Sequence, residues 1–155
     1  MGMDRFRPWR KYMPPVAVEH ASPRVQRHVV SVHVGPGAVR MATRTVSGSL
    51  TEAGIAPTTA FADSLLPVVG ELVTHVVRHA ANTPVTNVGI TVTGGQLAVS
   101  VADDDDRLPC LDSAGVGPGL WMVSELADEY RGEVLAETAA DRGAKTVMAR
   151  FQIPS

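Results

Sequence analysis

The chain has 155 residues, of which 45% are hydrophobic and 19% charged, and its formal net charge is −2. These values are typical of one folded domain with its own core, exclude a disordered chain, and give no overall indication of nucleic-acid binding. A single cysteine, Cys110, excludes an internal disulfide. The sequence predicts neither a membrane-spanning run of roughly 18 apolar residues nor a secretory signal, so we expect a cytoplasmic protein.

Charge is distributed unevenly along the chain. Residues 1–27 contain six basic and two acidic residues (net +4), whereas the remainder contains eight basic and fourteen acidic residues (net −6). The first segment also contains four prolines, which disfavour helices and central strands. We therefore predict a loosely packed N-terminal arm over 1–27 and one folded domain over 28–155. The alternative is an arm that docks on an acidic partner or on nucleic acid.

The folded domain shows strand and helix periodicities in alternation. The predicted elements are a strand over 28–34, helices over 38–53 and about 58–81, strands over 88–92 and 97–101, a helix over 119–130, and strands near 132–138 and 144–152. Pro67 either kinks the second helix or begins a new one. Gly94-Gly95 predicts a tight hairpin between the two middle strands.

This order predicts an α+β two-layer sandwich. Its sheet would be mixed but largely antiparallel, because two pairs of strands are joined by short turns. The three helices would cover one face of the sheet, and the other face would be solvated or used for assembly.

The second helix separates polar from apolar side chains. At about 100° per residue, one narrow sector contains Glu71, His75, Arg78 and His79, and the opposite side is apolar. A solvated face with ion pairs is the simplest interpretation. A second is a zinc site of Glu71, His75 and His79, although this spacing is not that of the metalloprotease motif.

A loop rich in aspartate and glycine lies between the middle strands and the third helix. Four aspartates begin at Asp103, and residues 115–119 read GVGPG immediately before the helix. Amides freed by glycine at a helix N-terminus can cradle phosphate, whereas an ordinary flexible turn is the alternative. The loop lacks both the ending of a P-loop and the spacing of an EF-hand.

Four motifs, in order, resemble the histidine kinase-like ATPase superfamily that includes gyrase, in particular its branch of bacterial anti-sigma factors and serine-protein kinases. The N box of that branch typically reads ELVTNAxRHA, and residues 71–80 here read ELVTHVVRHA. A V-x-D box followed by proline is similar to Val101-Ala102-Asp103 with Pro109, and G-x-G-L-x-x-V is similar to residues 117–123. The closing G-G-K-T-V pattern is similar to residues 143–147. The resemblance covers roughly residues 28–155.

The resemblance implies a Bergerat-type ATP-binding fold and a role for each matching residue. Asp103, with a water that Thr146 also holds, would accept a hydrogen bond from the adenine amino group. Glu71 would be the general base of a serine/threonine-protein kinase. The remaining nucleotide-binding residues implied near the phosphates are Gly115, Gly117, Gly119, Leu120, Arg78 and His79. The family's magnesium-binding Asn is His75 here, and imidazole is a poor magnesium ligand.

Two functions follow from this resemblance. One is an ATP-binding regulator that phosphorylates a serine of an antagonist protein, sequesters a sigma-like factor, or does both. The other is a non-catalytic relative that acts by protein contact, because His75 replaces the Asn. In both cases the resemblance implies a homodimer formed through the open side of the sheet. We expect neither membrane nor direct nucleic-acid contacts.

Overall fold

A five-stranded sheet carries three helices on one of its faces. The computed structural model describes residues 25–80, 82–109 and 117–155. The elements in chain order are β1 (Gln26–His33), α1 (Ala38–Glu52), α2 (Ala60–His79), β2 (Val85–Thr93), β3 (Gln96–Asp103), α3 (Pro118–Glu129), β4 (Glu133–Ala139), a 3-10 turn (Ala140–Arg142) and β5 (Ala144–Gln152). All eight predicted helices and strands are present, with ends shifted by a few residues. β1 begins inside the segment assigned to the arm.

The strand order is β1-β2-β3-β5-β4, and each of the four adjacent pairs is antiparallel. The predicted two-layer α+β sandwich is confirmed. Among the described strands the sheet is antiparallel throughout rather than mixed, because each neighbouring pair runs in opposite directions. Gly94 and Gly95 both have positive φ angles, of 54° and 79°, and form the tight turn that the sequence predicts between β2 and β3.

Pro67 lies inside one continuous α2 and neither ends it nor begins a new helix. The helix begins at the N-cap Thr59, whose hydroxyl accepts a hydrogen bond from the Ala62 amide at 3.1 Å. By length and composition alone α2 could cross a membrane, contrary to the expectation from sequence. Eight of its residues are buried in the core, so its apolar character is accounted for by packing.

The main core lies between the helices and one face of the sheet. α1 contributes the four residues spaced by four in sequence, and α2 contributes the apolar side opposite its polar sector. The sheet contributes alternate residues of each strand, because successive side chains point to opposite faces. These sheet residues include Val32, Val88, Ile90, Leu97, Val99, Val101, Val147, Ala149 and Phe151.

Gly132 has almost no room for a side chain. A Cβ atom there would overlap the backbone carbonyl of Arg150 on β5. Gly48, on the exposed side of α1, has no neighbouring atom within 4 Å of the corresponding position. A side chain is therefore excluded at Gly132 and accommodated at Gly48.

We predict that Gly132→Ala lowers the free energy of unfolding by about 2 kcal/mol or more, because backbone atoms must shift to admit the methyl group. Gly48→Ala is the matched control, and it should raise that free energy by about 0.5–1 kcal/mol, since alanine favours a helix interior. Urea denaturation measures both. A Gly132→Ala protein as stable as the parent would contradict the close approach of the two backbones.

Candidate functional site

The polar sector of α2 faces outward while the other side of the helix enters the core, as the sequence predicts. Leu72, Val73 and Val76 are buried, whereas Glu71 and His75 are half-buried. Further along the same sector, Arg78 and His79 are exposed. The imidazole rings of His75 and His79 lie 4.7 Å apart, centroid to centroid. A carboxylate, two imidazoles and a guanidinium therefore share one surface.

The glycine turn before α3 packs against the side chain of Glu71. Gly117 is the N-cap of α3 and Pro118 is its first residue, where the missing proline N–H costs nothing. A Cβ at Gly119 would overlap the Glu71 carboxylate, so this carboxylate lies directly against the glycine at the helix terminus. The positive end of the helix dipole favours an anion at this place.

A cavity of about 360 Å³ opens between α2 and the N-terminus of α3, and we call it the helix-side cavity. This volume is within the range of small-molecule sites. It brings together residues that are more than 35 positions apart in sequence, including most of those that the resemblance selects. Its lining comprises Glu71, Thr74, His75, Arg78, His79, Pro109, Gly117, Pro118, Gly119 and Leu120.

Asp103 lies at the end of β3 and is held by a buried ion pair. The ammonium Nζ of Lys145, on β5, is 3.0 Å from each of its two carboxylate oxygens. The side chains of Asp103 and Lys145 are 1% and 2% exposed. The register of the two strands places these residues opposite each other. The carboxylate that the resemblance assigns to adenine is therefore already paired and covered.

The chain that follows Asp103 closes around the same ion pair. Asp103 also accepts the amide hydrogen of Asp105 at 2.9 Å, and Lys145 donates to the Asp105 carbonyl at 3.1 Å. Arg107 bonds both carboxylate oxygens of Asp105 and the carbonyl of His79. Arg107 holds the pKa of the Asp105 carboxyl far below its usual range by hydrogen bonding to it. The first part of the loop is thus fastened to β5 and to the end of α2.

Thr146 does not lie beside the Asp103 carboxylate on the helix side of the sheet. Along β5 the core-facing positions are 145, 147, 149 and 151, so Thr146 points to the other face. Asp103 and Thr146 instead line a second cavity of about 430 Å³ at the ends of the strands. The structure therefore assembles the described phosphate-side residues in one cavity, whereas the two adenine-side residues line the other. Gly115 falls outside the described residues.

The ionisation of His75 is set by its surroundings. Burial lowers the pKa of His75 below its ordinary value of 6.5, and the neighbouring His79 and Lys145 lower it further. Asp103 acts in the opposite direction with a smaller effect. The imidazole is therefore neutral at pH 7 and offers one N–H donor and one lone pair instead of a positive charge.

The geometry does not support a zinc site. Within residues 25–80, 82–109 and 117–155, no group of three His, Cys, Asp or Glu side chains is arranged to hold a metal ion. Glu71, His75 and His79 all lie in that part of the chain. Their common stripe on α2 does not bring them together as three ligands.

Sequence reasoning missed Lys145, although the strand pattern contained the signal. Positions 145, 147, 149 and 151 alternate towards the core, and an unpaired lysine is rarely buried. A core-facing lysine opposite a core-facing aspartate on the next strand indicates an ion pair. The closing motif of the family instead assigns a role to Thr146, which is the next residue and points to the opposite face of the sheet.

No protein-family model matches the chain, and no curated protein sequence matches it significantly.

We predict that Lys145→Met lowers the free energy of unfolding by about 3–5 kcal/mol, because it leaves the Asp103 carboxylate buried without its counter-charge. The double variant Asp103→Asn/Lys145→Met should recover more than 1 kcal/mol of that loss, since no lone charge is then buried. Guanidinium denaturation at pH 7 measures both. A Lys145→Met protein within about 0.5 kcal/mol of the parent would show that the pair is not buried as described.

Proposed function

We propose that this chain is a cytoplasmic nucleotide-binding regulator of the anti-sigma factor and serine-protein kinase type. The observation that carries the proposal is the helix-side cavity, where the polar sector of α2 meets the glycine turn of α3. The resemblance selects these same segments as the N box and the second glycine box. Their meeting in one cavity supports a common ligand.

The chemistry of this cavity fits the phosphate groups of a nucleotide. The amides of Gly119 and Leu120 belong to the first turn of α3, where backbone N–H groups have no partner within the helix. Such amides, together with the helix dipole, favour bound phosphate. Arg78 is exposed on the cavity wall and offers a guanidinium for a charge-assisted hydrogen bond. The cavity therefore offers amide donors and the Arg78 guanidinium to phosphates, while the Glu71 carboxylate at the same helix terminus opposes them.

Recognition of adenine would require a change in the ion pair between Asp103 and Lys145. Asp103 can accept from the adenine amino group only if the Lys145 ammonium moves away from at least one carboxylate oxygen. Breaking a buried ion pair opposes binding, because the separated charges lose their partner in a poorly solvated place. We therefore expect ATP to bind more weakly than its phosphate contacts alone would permit.

Magnesium does not fit the residue at the family's magnesium-binding position. It prefers hard oxygen ligands in octahedral geometry, whereas the position of the family's Asn holds the neutral imidazole of His75. Of the two functions that the resemblance implies, the arrangement favours a regulator that acts by protein contact on a sigma-like factor or its antagonist. Two exposed apolar side chains, Leu108 and Trp121, adjoin cavity residues in sequence and suit such a contact.

One observation favours the second candidate, an ATP-dependent serine kinase. The Glu71 carboxylate lies against Gly119, at the terminus where the last phosphate of a nucleotide would be held. A carboxylate there could take the proton of an attacking serine hydroxyl of a partner protein. Phosphoryl transfer to a purified partner would distinguish the two candidates.

We predict that ATP binds the full-length chain and that Arg78→Ala weakens this binding about tenfold or more, since a charge-assisted hydrogen bond to phosphate is lost. Arg44→Ala is the matched control, because Arg44 is equally exposed but lies on α1 outside the cavity. Isothermal titration calorimetry measures all three proteins. Equal ATP affinity in the parent and the Arg78→Ala protein, or no heat from the parent, would contradict the proposed site.

A second prediction concerns magnesium. The parent protein should bind ATP with an affinity that changes less than about twofold when magnesium is added, because His75 supplies no hard oxygen ligand. His75→Asn should make binding tighter in magnesium than in excess chelator. His79→Asn, which replaces the neighbouring imidazole, should leave the ATP affinity the same in magnesium and in excess chelator. Magnesium-dependent transfer of labelled phosphate by the parent protein would instead support the kinase.

A further inference from the structure

The outer edge of β1 presents backbone groups that have no partner in the described part of the chain. β1 is the first strand in the order of the sheet, so it pairs with β2 on one side only. The Val34 amide donates to the Pro84 carbonyl at 3.0 Å, in register with the β1–β2 ladder. Residues of an antiparallel strand direct their N–H and C=O groups to the two sides in alternation. The even-numbered residues of β1 therefore bond towards β2, and the backbone groups of residues 27, 29, 31 and 33 point outwards.

The side chains of these outward residues lie on the face of the sheet that carries no helix. Along β1 the odd-numbered positions are exposed, whereas the even-numbered positions are buried or half-buried against the core. Val29, in the middle of the strand, is 54% exposed. α1 contacts both β1 and β2, so it lies above these two strands rather than beside the edge. An exposed apolar side chain and two outward hydrogen-bonding groups therefore coincide at Val29.

The two edge strands of the sheet differ in charge. β4, at the opposite edge, contains Glu133 and Glu137, and charged side chains on an edge strand discourage pairing with another strand. β1 contains no acidic residue, lysine or proline, and Arg27, near its start, is its one arginine. β1 therefore lacks most of the features that keep an edge strand from pairing.

We propose that the outer edge of β1 pairs with β1 of a second copy of this chain, antiparallel and about a twofold axis at Val29. The two sheets then form one continuous sheet with all helices on the same face. Val29 lies opposite Val29 of the second copy, and each covers the other's exposed side chain. The outward N–H and C=O groups of the two strands become hydrogen-bond partners. This inference does not depend on the proposed nucleotide site.

The sequence of β1 favours its own copy as the partner. With the axis at Val29, Arg27 lies opposite Ser31, so no like charges face each other. An axis one residue away, at His28 or Val30, would place Val29 opposite Arg27 or Ser31 instead. An axis at Arg27 would place two guanidinium groups opposite each other. The Val29 register is therefore the one that joins apolar to apolar side chains and separates the charges.

This contact differs from the homodimer that the family resemblance implies. That dimer would form through the open face of the sheet, whereas the edge contact joins backbone to backbone at β1. The helix-side cavity lies between α2 and α3 and contains no residue of β1. The edge contact therefore leaves that cavity accessible in both copies.

Amide hydrogen exchange of the full-length chain, followed by NMR, tests the contact without any substitution. We expect the outward amides of Arg27, Val29 and Ser31 to be protected at high protein concentration, and to exchange about tenfold faster or more after dilution. The inward amides of His28 and Val30 should stay protected at every concentration, because they bond to β2. Light scattering should show twice the mass of one chain where the outward amides are protected.

A pair of charge substitutions tests the register. Val29→Lys and Val29→Glu should each give a monomer with an unchanged circular dichroism spectrum, because like charges then face each other across the axis. An equimolar mixture of the two variants should recover the dimer mass, since opposite charges then meet. Thr91→Lys is the matched control, because Thr91 lies opposite Arg27 on β2 and shares its face of the sheet. That variant should remain a dimer.

Four outcomes would overturn the inference. A monomer whose outward amides exchange freely at every concentration would show that the edge stays unpaired. Outward amides protected in a monomer would show that another segment of the same chain pairs with the edge. A dimer that persists in a folded Val29→Lys variant would place the contact elsewhere. A dimer that Thr91→Lys dissociates, with outward amides unprotected in the parent, would show that the open face is the interface.

Discussion

The buried ion pair between Asp103 and Lys145 links the fold of this protein to its candidate function. It joins β3 to β5 at the end of the sheet where the loop towards α3 begins, and the backbone of Asp105 completes it. Two charges removed from water are stable only together, so each residue fixes the position of the other. The same carboxylate is the one best placed, by resemblance, to recognise a base. In the proposed nucleotide site, stability and base recognition would therefore compete for the same atoms.

The sequence predicted most of the fold because the relevant signals are local. Apolar residues spaced by four set the buried face of α1, alternating valines set β1, and Gly94-Gly95 set the tight hairpin. At Pro67 the local signal allowed either a kink or a new helix, and the structure excludes the new helix, since tertiary packing of the α2 core face outweighs the lost hydrogen bond. They also left open a mixed sheet, because strand pairing depends on contacts between distant segments.

The candidate site was predictable in part for a similar reason. The sector of Glu71, His75, Arg78 and His79 follows from helical geometry alone, and the structure brings it to the glycine turn as expected. The partner of Asp103 was not found, because a contact between strands more than 40 residues apart depends on register. Successive side chains of a strand point to opposite faces of the sheet, which is why Lys145 pairs with Asp103 and Thr146, one residue later, points to the other face.

The central proposal is that a nucleotide would bind with its phosphates in the helix-side cavity and its base at Asp103, whose carboxylate is paired with Lys145 when no base is bound. A crystal structure of the full chain with ATP tests it most directly. We expect phosphate oxygens within hydrogen-bonding distance of the Gly119 and Leu120 amides, and a Lys145 Nζ displaced from its 3.0 Å contact with at least one Asp103 oxygen. ATP bound away from the turn before α3, or bound with both of those contacts intact, would contradict the account.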